Sequence, residues 1–155
     1  MKKRIAVFDC DGVLLDSSHR YRTGENGRID LDHWRAHSTA LHIWQDTRLP
    51  MAAVYKRMLK NPNVYVILAT ARQANAHDIA SITEKLGYPD KLVFRKAGDN
   101  QSGTTLKLSA IRPLLNLKQF KGAMVTVFED NIDYLYGLVK GLNAQPVYVH
   151  SQQGH

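Results

Sequence analysis

Val7-Phe8-Asp9-Cys10-Asp11-Gly12-Val13-Leu14-Leu15-Asp16 is the stretch on which the reading of this chain turns. An apolar run, Ile5–Phe8, closes on two carboxylates placed two residues apart. Side chains alternate along a strand, so Asp9 and Asp11 would project to the same side. Gly12 permits a sharp turn away from the strand. The carboxyl end of a parallel strand is where open α/β sheets bind ligands. Two neighbouring carboxylates repel and call for a cation or a shared proton, and a hard cation such as Mg²⁺ suits oxygen donors. The competing reading is a turn with capping acids.

Working outward, further apolar runs bounded by turn signals fall at Val64–Ala69, Lys91–Phe94, Met124–Phe128 and Pro146–Val149. Their near-continuous Val, Ile, Leu and Phe predict strands buried on both faces. Helical stretches lie between them: Pro50 to about Lys60, Asn75–Leu86 ended by Gly87, Leu106–Leu115 with a distortion at Pro113, and Ile132–Leu142 after Asn131. The alternation predicts an α/β fold with a parallel sheet and right-handed crossovers. Residues 17–49 break the alternation. They read as a small insertion with an irregular start at Gly24 and Gly27, followed by a helix capped by Asp30 or Asp32 and carrying Trp34, Leu41, Ile43 and Trp44. The whole chain, 1–155, reads as a single domain with this small cap.

Three later strand ends carry polar groups. Val66–Arg72 closes on Thr70 and Arg72, a hydroxyl that can bond a phosphoryl oxygen and a guanidinium that can grip a phosphate. Lys107 lies near the start of a predicted helix, where anions are favoured, although most single lysines are surface lysines. Val125–Phe128 ends in Glu129-Asp130-Asn131-Ile132-Asp133. There Asp130 can complete a metal shell and Glu129 can hold a metal-bound water. Capping of the next helix by Asp130 or Asn131 is the plainer reading, and whether Glu129 or Asp133 joins the shell stays open.

Taken in order, the Asp9/Asp11 pair, Thr70, Lys107 and the Glu129-Asp130 pair resemble the motif set of the haloacid dehalogenase superfamily of phosphotransferases. The resemblance implies a Rossmann-like fold with sheet order 3-2-1-4-5 and Mg²⁺ held by Asp9, the backbone carbonyl of Asp11, and Asp130. It also implies a phosphomonoesterase working through an aspartyl-phosphate, with Asp9 as nucleophile and Asp11 as acid and base. Thr70 and Lys107 would stabilise the transferring group. A closer resemblance is to the 3′-phosphatase domain of phage-type polynucleotide kinase–phosphatases. It rests on Arg20, eleven residues after Asp9, on Arg72, on Arg95-Lys96-Ala97-Gly98-Asp99, and on Lys107 eight residues further on. It implies substrate-binding roles for Arg20, Arg72 and Arg95, and a nucleic-acid 3′-phosphate end or a nucleotide as substrate. The chain departs from that group at Gly103, where the group has an acid, and at Glu129, where it has Asp.

Composition bounds the alternatives. The chain has 155 residues, 44% hydrophobic and 23% charged, a globular balance. The net charge of +7 suits a polyanion or a phosphorylated metabolite, and equally plain solubility. The rival readings are a phosphatase of a small phosphorylated metabolite and a catalytically silent basic nucleic-acid-binding module. The single cysteine, Cys10, reads as a buried apolar side chain and fits a reducing cytoplasm. No apolar run approaches the ~18 residues of a membrane span, and the start Met1-Lys2-Lys3-Arg4 lacks the long apolar stretch of a signal peptide. Gly98 and Gly103 have P-loop spacing but no following lysine, so the segment reads as a loop. His33, His37 and His42 are spaced for a zinc site or, more simply, for a solvent-facing rim. Trp34 and Trp44 read as packing residues or base-stacking platforms, and Tyr134 and Tyr136 as packing residues.

Overall fold

The computed structural model describes residues 3–151. Met1 and Lys2 of the basic start and residues 152–155 lie outside the described residues. The chain runs β1 (Arg4–Phe8), β2 (Leu15–Asp16), α1 (Leu31–Ala36), α2 (Ala40–Trp44), β3 (Thr47–Arg48), α3 (Met51–Leu59), β4 (Val64–Gln73), α4 (Ala76–Leu86), β5 (Lys91–Arg95), α5 (Gly103–Leu115), β6 (Met124–Glu129), α6 (Ile132–Leu142) and β7 (Gln145–Tyr148). The five long strands form a parallel sheet in the order β5-β4-β1-β6-β7. Numbered along the chain, that is the expected 3-2-1-4-5. The two-residue strands β2 and β3 pair antiparallel at either end of the insertion.

β1 is central, and its alternation builds both layers of the core. Ala6 and Phe8 pack with Tyr55 of α3 and with Ile82 and Leu86 of α4. Ile5 and Val7 pack with Ile111 of α5 and with Leu135, Leu138 and Leu142 of α6. Phe8 stacks on Phe128 of β6 at 4.3 Å between ring centroids, and Tyr55 meets it edge-on at 5.2 Å. Ile67 and Leu68 of β4 are fully buried, each contributing roughly 1.5–3 kcal/mol by leaving water.

Several local expectations change. β4 extends to Gln73, so Thr70 and Arg72 lie within the strand. α5 starts at Gly103 behind a Ser102 cap and runs unbroken through Pro113. Pro50 is the residue before α3, which begins at Met51. The single helix expected in the insertion is two: Asp30 caps α1 by accepting from His33 N, and a break at residues 37–39 separates α2. Asn131 caps α6 by accepting from Tyr134 N at 3.0 Å, which leaves the Asp130 carboxylate for other partners. Among the described residues, no helix is long and apolar enough to cross a membrane.

Candidate active site

The register brings three strand tips together. Phe8 pairs with Leu68 on one side and Phe128 on the other, and Asp9 N donates to Phe128 O at 3.0 Å. The next residues of β4 carry Thr70 and Arg72, and β6 ends on Glu129, with Asp130 following. Lys107 enters from the second turn of α5 and is 1% exposed. Its Nζ donates to Asp9 Oδ1 and to Glu129 Oε2, both at 2.9 Å. Glu129 Oε1 accepts from the backbone N–H groups of Asp130 and Asn131. Glu129 therefore holds Lys107 and the strand end, and Asp9 and Asp130 are left facing each other.

Asp9, Glu129 and Asp130 each offer a carboxylate oxygen within 4.8 Å of the others. Two buried acids and the part-buried Asp9 against one ammonium leave excess negative charge. Burial raises the Asp9 carboxyl well above its ordinary range, and Glu129 adds to the rise against the pull of Lys107. Burial and Glu129 together push Asp130 up to about 7. Burial would raise Glu129 too, but Lys107 holds it low. For Lys107 itself, burial favours loss of the proton, and its two carboxylate partners outweigh that and keep it charged.

The residues fit a hard divalent cation. All donors are oxygens, and the buried Oδ2 of Asp130 has no hydrogen-bond partner. Gly12, at φ +78°, passes so close that a Cβ there would collide with Asp130 Oδ2 and Ser151 Oγ. Asp133 is exposed on the first turn of α6 and stands outside this cluster. The three insertion histidines contact one another, His33 stacking on His37 at 4.0 Å and His37 meeting His42 edge-on at 5.0 Å. Among the described residues they form no metal-ligand set, so the zinc expectation fails.

Asp11 sits beside this cluster in a clamp. Arg72 Nε donates to its Oδ2 at 3.3 Å, Arg72 Nη2 donates to its Oδ1, and Ser17 Oγ donates to Oδ1 at 2.6 Å. Burial would raise the Asp11 carboxyl, yet Arg72 and Ser17 hold it below the usual range. Thr70 Oγ1 accepts from Arg72 N at 3.0 Å.

Two arginines are placed differently from a direct grip on substrate. Arg20 is wholly buried, and its Nε and Nη2 donate to Asp46 Oδ1 and Oδ2 at 3.0 and 2.9 Å. Arg95 donates to the carbonyls of Ala71, Asp99 and Gln101 and shapes the loop before α5. Gly103 is small because the Tyr134 ring lies where its side chain would be, 2.7 Å from a built Cβ. Trp34 covers the arginines, whereas Trp44 is 39% and Tyr136 68% exposed, so neither of the latter is a core residue. Asp46, Asp78 and Ser17 were not singled out from the sequence. Ser17 and Asp46 lie near opposite ends of the insertion and Asp78 in α4, with no shared periodicity, and the capping pattern of Asn75 and Asp78 was their one visible signal.

Residues 1–85, more than half of the chain and including Asp9, Asp11, Gly12, Thr70 and Arg72, match the family model described as bacteriophage T5 5′-deoxynucleotidase. The chain belongs to that family. Among curated proteins, none matches the sequence. Solved structures show the fold. A haloacid dehalogenase-like family hydrolase from Streptococcus pneumoniae superposes with TM-score 0.67 at 12% identity, over 96% of this chain and 87% of that one. A chain of the Pnkp1/Rnl/Hen1 RNA repair complex superposes with TM-score 0.66 at 18% identity, over 97% of this chain and 43% of that one. The HAD domain of the effector protein Lem4 from Legionella pneumophila does so with TM-score 0.57 at 12% identity, over 98% of this chain and 88% of that one. The fold is that of the haloacid dehalogenase-like hydrolases.

Proposed function

We propose that this family member is a Mg²⁺-dependent phosphomonoesterase that removes the 5′-phosphate of deoxyribonucleoside monophosphates, with Asp9 as the nucleophile. The observation that carries the reading is Lys107 pinned between Asp9 and Glu129 beside the unpartnered oxygen of Asp130. The family description directs the choice of substrate toward a nucleotide. A 3′-phosphorylated nucleic-acid end is the second substrate, favoured by the fold shared with a chain of an RNA repair complex and by the +7 charge.

Asp9 and Asp130, with the backbone carbonyl of Asp11, would hold Mg²⁺, which when bound offsets charge on the phosphoryl oxygens. Lys107 orients the Asp9 carboxylate and adds positive charge where the phosphoryl group transfers. An oxygen of Asp9 forms a bond to phosphorus as the bond to the 5′ oxygen breaks. Asp11 passes its proton to that leaving oxygen. The clamp keeps Asp11 ionised in the free enzyme, so the proton it passes on is taken up from solvent as the arriving phosphate dianion raises its proton affinity, and the proton it later receives from water returns to solvent. Water then attacks phosphorus, gives a proton back to Asp11, and the Asp9–phosphorus bond breaks to release inorganic phosphate. Thr70, at the same strand tip, serves the transferring group, while Arg72 serves Asp11. Arg20 and Arg95, occupied by Asp46 and by loop carbonyls, act on the shape of the site.

The test is phosphate release in Mg²⁺ from deoxyribonucleoside 5′-monophosphates, a 3′-phosphorylated oligonucleotide and a sugar phosphate. Turnover should be highest on the nucleotides and lost with EDTA. Preference for the oligonucleotide would move the assignment to nucleic-acid ends. Preference for the sugar phosphate would move it to a small metabolite. Salt-dependent oligonucleotide binding with no turnover anywhere would mark a silent binding module.

A further inference from the structure

The insertion and the catalytic acid meet through one guanidinium. Arg72 uses its Nε and Nη2 on Asp11, and Nη2 also donates to Asp46 Oδ2 at 3.2 Å. Its Nη1 donates to Asp78 Oδ1 at 2.9 Å, at the first turn of α4. Asp46, between α2 and β3, is gripped on both oxygens by Arg20. The Trp34 ring of α1 lies over Arg20 Cζ at 4.3 Å and over Arg72 Cζ at 5.5 Å. The side chains of Arg20, Arg72, Asp46 and Asp78 are at most 1% exposed.

A buried set of charges is a poor source of stability, because desolvation offsets the attraction and apolar residues of the same size often do better. Its specific product is the orientation of Arg72. The edge of that guanidinium facing the site ends on Asp11, and its other contacts are made by Asp46 and Asp78. We infer that Asp46, with Trp34 lying over Arg20 and Arg72, is a positioning residue that fixes the plane of Arg72 and so presents Asp11 to the leaving oxygen. This rests on the phosphatase reading above. It makes residues 17–49 part of the acid's machinery, supplying a carboxylate and an indole to a clamp that the sheet alone leaves incomplete.

The experiment compares kcat/KM in Mg²⁺ for deoxyadenosine 5′-monophosphate and for 2,4-dinitrophenyl phosphate. The first needs a proton on its alkoxide leaving group, and the second departs without one, while kcat/KM reports only the steps through that departure. Asp46→Asn should lower kcat/KM on the nucleotide by roughly 10²-fold while the aryl phosphate changes by less than about threefold, with the fold intact by circular dichroism. Trp34→Ala, which leaves the charges in place, should give the same selective loss at about tenfold, the scale of one desolvated cation–π contact. If Asp46→Asn does not fold, Trp34→Ala decides by the same criterion. Equal losses on both substrates, or no loss on either, would overturn the inference. A native chain inactive on both substrates would instead sink the phosphatase reading, a separate result.

Discussion

Asp130 is an acid whose surroundings oppose its charge. Its carboxyl is pushed up to about 7 by burial and by Glu129, against an unfolded value near 4. With the folded value raised, this group's contribution to stability is full below about pH 4 and is lost as pH rises through about 7. On the proposed function, Mg²⁺ would bind the deprotonated form. The rise in Tm produced by Mg²⁺ should therefore be small at pH 5 and larger at pH 8, as read by differential scanning fluorimetry on EDTA-treated protein. An Mg²⁺ effect independent of pH would contradict this account of Asp130. Lys107 makes the complementary case. Lys107→Met leaves Glu129 buried beside Asp9 without its cation, which costs about 3–5 kcal/mol. Phosphatase activity should drop at least 10²-fold, the scale of losing one preorganised charge. Denaturant titration and steady-state rates check the two parts. The acids that form this cluster were legible in the sequence because each sits at the end of an apolar run. Asp46 was not, because a buried acid inside an irregular insertion has no pattern to mark it, and its partners Arg20 and Arg72 lie in different segments.

Among the elements, the β1–Gly12 turn sets the geometry of the site. Gly12 combines φ +78° with a Cβ position that Asp130 Oδ2 already fills. Gly12→Ala should displace the Asp130 carboxylate and abolish the Mg²⁺-dependent gain in Tm, beyond the roughly 1–2 kcal/mol of a left-handed alanine. A variant that still gains Tm with Mg²⁺ would show that Asp130 does not depend on this turn. Gly87, which ends α4 at φ +90° and ψ 175°, combines a glycine-only backbone with a Cβ position 3.2 Å from Leu59 Cδ1. It lies away from the cluster, against Leu59. Gly87→Ala should lower stability by about 1–3 kcal/mol and leave kcat and KM unchanged. The core helices and strands were readable to within a few residues because amphipathic and buried periodicities fix them. The insertion was read as one helix where there are two, since its apolar residues follow no single face and its caps are short-range hydrogen bonds. Pro113 was read as a distortion, yet α5 accommodates it near its C-terminal end.

At the scale of the molecule, the strand order is what turns scattered residues into a site. The order β5-β4-β1-β6-β7 puts the tips of β4 and β6 on either side of Asp9, although Thr70 and Asp130 are sixty residues apart. Periodicity alone predicts a parallel sheet but not the order of its strands, which came from the resemblance of the motif set. The central claim is that this arrangement makes Asp9 a covalent carrier of phosphate. Rapid quenching of the Mg²⁺-loaded chain with a deoxyribonucleoside 5′-monophosphate, followed by peptide mass spectrometry, tests it directly. The account predicts a transient phosphate adduct on the peptide containing Asp9, absent from Asp9→Asn. Steady turnover with no adduct at any quench time, or turnover that survives Asp9→Asn, would contradict it.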